Sequence, residues 1–175
     1  RERVWDGLTA DLLTTSCQQT AVNVSVRLVG RRWTGFRRAM DTAIIHDTAQ
    51  RTLDGTNSFP EVVKNLLGAG VEYYHVDYVA RRKTFYGADG STATTAITYE
   101  GLPAVAPDFA ADQLRAAILD SQRHGQKYRD FTRRAMEAGV QSYTAFLRGQ
   151  RVTYWGRQGD AHTEWFPGAG PAKQD

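Results

Sequence analysis

The chain has 175 residues, 41% hydrophobic and 23% charged, a balance suited to one globular domain or a tight pair. No apolar run approaches the roughly 18 residues of a membrane span, and the single cysteine, Cys17, excludes an internal disulfide framework or a thiolate metal cluster. The net charge of +3 is local: residues 1–39 carry seven arginines against Glu2, Asp6 and Asp11, which leaves residues 40–175 slightly acidic and confines any polyanion-binding argument to the first segment.

Residues 1–39 begin without methionine and end GRRWTGFRRAM. The preferred expectation starts translation at Met40, with the preceding residues as upstream sequence read in frame and an Arg-Arg pair encoded by a ribosome-binding sequence. The alternative is a true extension, with a β-like run at 21–28 and a basic turn, mobile and poorly packed.

From Met40 the pattern is regular. Ile45, Ala49 and Leu53 fall on one helix face, and Gly55 ends that helix. Ser58-Phe59-Pro60-Glu61 is a capping box with proline in the tolerant first turn. Val62, Val63, Leu66 and Leu67 supply the apolar stripe of the second helix, closed by Gly68 or Gly70. Alternation and β-branched or aromatic residues predict strands at 71–79, 82–86 and 91–97, with a hairpin turn at Ala88-Asp89-Gly90. A connector at 98–107 holds Pro103 and Pro107. The order then repeats: helices at 109–123 and 128–138, with Leu114, Ala117, Ile118, Phe131, Ala135 and Met136 inward. Strands follow at 140–147, 151–155 and 162–166, and residues 169–175 form a flexible tail.

The repetition is literal. Residues 69–90 (AGVEYYHVDYVARRKTFYGADG) lie without a gap over 138–159 (AGVQSYTAFLRGQRVTYWGRQG), matching Ala69, Gly70, Val71, Tyr74, Arg82, Thr84, Gly87 and Gly90 with identical residues. The predicted fold is therefore α+β, an internally duplicated ααβββ unit with antiparallel meander strands and helices on one sheet face. The first copy is 40–100 and the second 101–168, folding as one domain, in one six-stranded sheet or two smaller ones. Tyr74, Val76 and Tyr78 match Tyr143, Ala145 and Leu147, so that face should meet the helices. Tyr73, His75 and Asp77 match Ser142, Thr144 and Phe146, so the other face has been free to diverge.

That face carries the candidate chemistry. His75 and Asp77 point the same way with Tyr73 beside them, and a carboxylate next to an imidazole can orient it and raise its pKa. His162 and Glu164 repeat the spacing on the last strand. If the outer faces converge, these four residues make a two-histidine, two-carboxylate set, though no HxxxH or HExxH spacing accompanies them. The bland reading is a solvated strand face, and no metal or other cofactor is predicted. His46 and His124 read as surface residues. Arg81, Arg82, Lys83, Phe85 and Tyr86, with Arg148, Arg151, Tyr154, Trp155 and Arg157, interleave base and ring as single-strand nucleic-acid platforms do. Half of those rings must face the core and residues 40–175 are acidic, so nucleic acid is not the expected partner. Gly68-Ala69-Gly70 follows a helix and precedes a strand, the reverse of a dinucleotide loop, and no nucleophile-elbow or Walker pattern occurs.

YHVDY at 74–78, TFYGADG at 84–90 and GDAHTEWFPG at 159–168 resemble the YdfO-like uncharacterised bacterial family, often labelled phage envelope protein. The resemblance covers about 40–168 and implies a small duplicated α+β fold without supplying an activity. The expected function is a non-enzymatic accessory or binding protein using the outer face, cytoplasmic, off the membrane, with a small-molecule or protein partner or as a homodimer. The rival is a small-molecule or metal-dependent enzyme centred on His75 and Asp77. Because the second copy does without both groups, exchanging His75 for Thr and Asp77 for Phe is expected to leave stability within about 1 kcal/mol.

Overall fold

The computed structural model describes residues 39–170, and the expectations for 1–38 and 171–175 lie outside that range. α1 (Thr42–Leu53) starts at Asp41, whose Oδ1 accepts a hydrogen bond from the Ile44 N–H at 3.1 Å, satisfying one orphan donor of the first turn. It buries Ile45, Thr48, Ala49 and Thr52, and Gly55 (φ +70°) turns the chain after it. α2 (Phe59–Gly68) opens on the Ser58–Glu61 pair: the Ser58 N–H and Oγ donate to Glu61 Oε2 at 2.8 and 2.7 Å. Those bonds hold the Glu61 carboxyl below its usual range.

Only Val62 and Leu66 of the expected stripe are buried. Val63 is partly covered and Leu67 is 42% exposed. Successive helix residues lie about 100° apart, and so short a helix meets the sheet along one line.

β1 (Val71–Asp77), β2 (Arg82–Gly87) and β3 (Thr92–Ala96) complete the first copy. β1 stops two residues short of the expected strand because Asp77 Oδ1 accepts from the Ala80 N–H at 2.8 Å and Arg81 takes a left-handed φ of +52°. In the second copy α3 (Ala111–His124) buries Leu114, Ala117 and Ile118, and α4 (Tyr128–Glu137) buries Thr132, Ala135 and Met136. Phe131, expected inside, is only partly covered. β4 (Val140–Phe146), β5 (Arg151–Gly156) and β6 (Ala161–Trp165) follow.

The six strands form one antiparallel sheet in the order β3-β2-β1-β4-β5-β6, two meanders joined along β1 and β4. The open question of one sheet or two is thus answered by a single sheet. α4 and β4–β6 reproduce α2 and β1–β3 end for end, displaced by 69 residues. Even the bulges match, between Val71 and Tyr73 in one copy and Val140 and Ser142 in the other. So does the packing behind them. A Cβ on Gly87 would come within 2.7 Å of Met40 Cγ, and one on Gly156 within 2.9 Å of Phe109 Cβ, so each glycine seats the residue that leads into its copy.

Across the seam Tyr73 pairs with Phe146, Val76 with Tyr143, Asp77 with Ser142, and His75 with Thr144. His75 and Thr144 are themselves repeat equivalents, so the approximate twofold runs through that pair. The core lies on the other side, where Tyr74, Val76, Tyr78, Tyr143, Ala145 and Leu147 are all buried against the helices, as the alternation requires. Side chains the size of Val76 and Leu147 each contribute about 1.5–3 kcal/mol by leaving water. Among the described residues no helix is long and apolar enough to cross a membrane.

Candidate functional site: the open sheet face

Strand register sorts the opposite face into three rows that cross all six strands. The middle row is Thr94, Thr84, His75, Thr144, Thr153 and Thr163, a threonine ladder interrupted by one imidazole. Its hydroxyls pair locally, Thr153 Oγ1 lying 3.1 Å from Thr163 Oγ1. Above it run Tyr86, Tyr73, Phe146, Arg151 and Trp165. Tyr73 stacks on Tyr86 with centroids 4.5 Å apart and planes 10° apart, and lies 6.0 Å from Phe146. The Arg151 guanidinium bridges onward, 5.5 Å from the Phe146 ring and 5.4 Å from that of Trp165. The result is a half-exposed ribbon of rings spanning five strands. Below the ladder, Arg82, Asp77, Ser142 and Trp155 form the twofold-related row, in which Ser142 and Asp77 stand in place of the Tyr73 and Phe146 rings.

His75 sits at the centre, half-buried, with Nδ1 3.0 Å from Thr144 Oγ1. Burial lowers its pKa, with Asp77 opposing and Arg82 adding to the shift. The sequence-based expectation of a raised pKa is therefore reversed, because partial desolvation outweighs the carboxylate. Asp77 is occupied in capping the turn to Ala80, and Thr144, across the seam, is the hydrogen-bond neighbour of the imidazole.

The second pair lies elsewhere. His162 is the cross-strand partner of Tyr154, and Glu164 that of Val152, and both partners are buried on the helix side. There His162 stacks against Tyr154 with centroids 6.4 Å apart, its Nε2 3.5 Å from Glu164 Oε2, while Gln122 of α3 reaches Glu164 Oε1 at 3.5 Å. The two pairs stand on opposite faces, three strand spacings or roughly 14 Å apart across the sheet, so the four-residue set is not assembled. Among the described residues no group of three or more His, Cys, Asp or Glu is placed to hold a metal ion.

The basic and aromatic set divides likewise. Arg82, Tyr86, Arg151 and Trp155 face outward, whereas Lys83, Phe85 and Tyr154 are buried on the helix side. The stacked contribution of Phe146 and Trp165 went unnoticed in sequence, though their register with Tyr73 and Arg151 follows once the hairpins are in place.

The His75 and Asp77 exchanges now separate. His75→Thr installs at the twofold the residue already opposite it and is expected to change stability by less than about 0.5 kcal/mol. Asp77→Phe removes the acceptor for the Ala80 N–H, worth about 1 kcal/mol. It also sets a ring beside Ala80, where the second copy has Gly149, whose added Cβ would lie 3.3 Å from Phe146 Cβ. A cost of about 1–2 kcal/mol is expected from urea unfolding. Equal, negligible effects of both changes would show that the turn does not depend on Asp77.

No curated protein matches the chain. A family model described as protein of unknown function (DUF1398) matches residues 46–164. That stretch begins within α1 and ends within β6, so it takes in both copies, the whole seam and the open face between them. The chain belongs to this family of proteins of unknown function, DUF1398.

Proposed function

We propose that the chain is a non-enzymatic binding protein whose working surface is the open sheet face. The observation that carries this reading is the ribbon Tyr86, Tyr73, Phe146, Arg151 and Trp165, left half-exposed by a sheet whose described helices all pack on the other side. Rings held by stacking and a guanidinium are rigid, so they lose little conformational entropy on contact, which is why such residues anchor interfaces. From strand spacing and rise the face presents on the order of 500 Å². Together with its rim this suits a protein surface, which takes about 800 Å² per partner, better than a small molecule seeking a concavity. A second copy of the chain is the first candidate partner.

The finer YdfO-like resemblance belongs to the same proposal. Its motifs contribute His75 and Asp77, Tyr86, and Trp165 to this one face. A cytoplasmic setting is likewise part of it.

The test places a photo-crosslinking amino acid at Thr84, in the middle of the face, and as a control at Lys64 on α2. Discrete crosslinked species from position 84 alone, lost when Tyr73 and Phe146 are both changed to Ser, are expected. Their mass by sedimentation and mass spectrometry distinguishes a second copy from another protein. Indistinguishable patterns from the two positions would overturn the assignment of the face.

A further inference from the structure

On the helix side of β2, Lys83 is 4% exposed. Its Nζ lies 3.9 Å from the centroid of the Tyr128 ring, and no carboxylate among the described residues pairs with it. The duplicate shows that the fold does not ask for this. The equivalent of Lys83 is Val152, and the same exchange recurs around it: Tyr128 answers to Phe59, Tyr78 to Leu147 and Thr132 to Val63. Tyr78, Thr132 and Lys83 are all buried. The Tyr128 hydroxyl lies 3.1 Å from that of Tyr143, and the Tyr78 and Tyr143 rings are 5.8 Å apart. Polar groups that an otherwise equivalent core replaces with hydrocarbon cost stability, and an amine held against a phenol ring has chemistry that hydrocarbon lacks.

The place has an approach. Thr95, the cross-strand partner of Lys83 on the same sheet face, lines an open cleft of about 330 Å³ between α1 and β3. Its hydroxyl is buried without a hydrogen-bond partner. Tyr99, whose ring lies 6.2 Å from that of Tyr128, lines a neighbouring cleft of about 430 Å³. The two clefts share Gln50, Leu53 and Thr98; Lys83 lines neither, and Thr95, its cross-strand partner, is the wall residue next to it. Only a small, uncharged molecule could pass that wall without bringing an unpaired charge into the core.

We propose that Lys83 is a carbonyl-reactive amine, the nucleophile of a buried lysine–tyrosine site that takes a small neutral aldehyde as a Schiff base. The nitrogen lone pair adds to the carbonyl carbon, giving a carbinolamine. One N–H proton passes to the oxygen as the carbinolamine forms; the C–O bond then breaks as the hydroxyl takes up the proton that nitrogen gives up and leaves as water, and a C=N bond forms, with no change of oxidation state. Burial lowers the pKa of the amine to about 7, so a large share of it is unprotonated at neutral pH, as such addition requires. This site is on the opposite sheet face from the proposed binding surface and stands independently of it.

The experiment treats the full chain at pH 7 with acetaldehyde and cyanoborohydride, which reduces a Schiff base to a stable ethylated lysine, and maps the product by peptide mass spectrometry. Lys83 is expected to be modified at least tenfold faster than Lys64 and Lys127, both exposed, the second on the rim of the neighbouring cleft. In Lys83→Val, which borrows the residue of the second copy, the fast adduct should vanish while the far-UV spectrum and cooperative melting are retained. If Lys64 and Lys127 are labelled in the native chain and Lys83 only after urea unfolding, the site is closed and the proposal fails. The wild-type mapping decides the matter even if the variant does not fold.

Discussion

Replacing Lys83 by valine is expected to flatten the rise in stability that the wild-type chain shows between about pH 7 and pH 9.5. The native state holds a proton on Lys83 only up to about pH 7, because burial penalises the charged form, whereas the unfolded chain holds it to about pH 10.4. Throughout that interval the unfolded state binds more protons, so stability increases with pH. Below pH 7 both states are protonated and the full penalty persists. At about 1.4 kcal/mol per pH unit, the contribution amounts to roughly 3–5 kcal/mol across the interval, the attraction of the ammonium for the Tyr128 ring being worth about 1–2 kcal/mol in return.

The window closes above pH 10 for a separate reason. Burial raises the pKa of Tyr74, Tyr78, Tyr128, Tyr143 and Tyr154, so the unfolded chain ionises first and stability falls. Urea unfolding of wild type and Lys83→Val at pH 7, 8 and 9.5 measures the difference. The variant should be the more stable protein at pH 7, with the gap shrinking steadily as pH rises. Parallel curves would mean that Lys83 keeps its proton in the native state throughout, as a hydrated lysine does, contrary to its burial.

Lys83 also marks where sequence reasoning ran out. A lysine between Arg82 and Thr84 reads as part of a basic surface run. Strand alternation turns it inward, beside Phe85 and opposite Val76. The signal lies in the duplication, since Val152 occupies the place of Lys83 in the second copy. His162 and Glu164 failed for a related reason. Which way they point depends on how the β5–β6 hairpin closes, and a shift of one residue exchanges the two faces. Their equivalents Ala93 and Thr95, half-buried beside Thr92 and Thr94, carry the correct parity.

What was legible was what periodicity encodes directly. The helix faces around Ile45 and Leu114, the capping pair Ser58 and Glu61, and the inward set Tyr74, Val76 and Tyr78 were readable without long-range information. The β1–β4 pairing was not, because no turn connects those strands and only the twofold relation, seen in three dimensions, fixes His75 against Thr144.

That pairing makes the two halves depend on one another, and neither residues 40–100 nor residues 101–170 are expected to fold alone. Cutting between them leaves β1 and β4 as unprotected sheet edges, each the most apolar strand of its copy on the helix side. The ladder along the seam is lost, including the bonds from the Tyr78 N–H to the Gln141 carbonyl at 2.9 Å and from the Leu147 N–H to the Glu72 carbonyl at 3.1 Å. The core is cut as well, since the Tyr143 ring packs 6.1 Å from Tyr74 and 5.8 Å from Tyr78. Lys83 loses the Tyr128 ring that covers it, which belongs to the other copy. What remains is a three-stranded sheet under two short helices, at a size where a single core rarely supplies more than about 3–5 kcal/mol even when intact. Each fragment should therefore show weak far-UV ellipticity and no cooperative transition in urea, while an equimolar mixture regains both through the β1–β4 edge. A sharp, concentration-independent unfolding transition in residues 40–100 alone would show that the copies are separate domains merely docked along that edge.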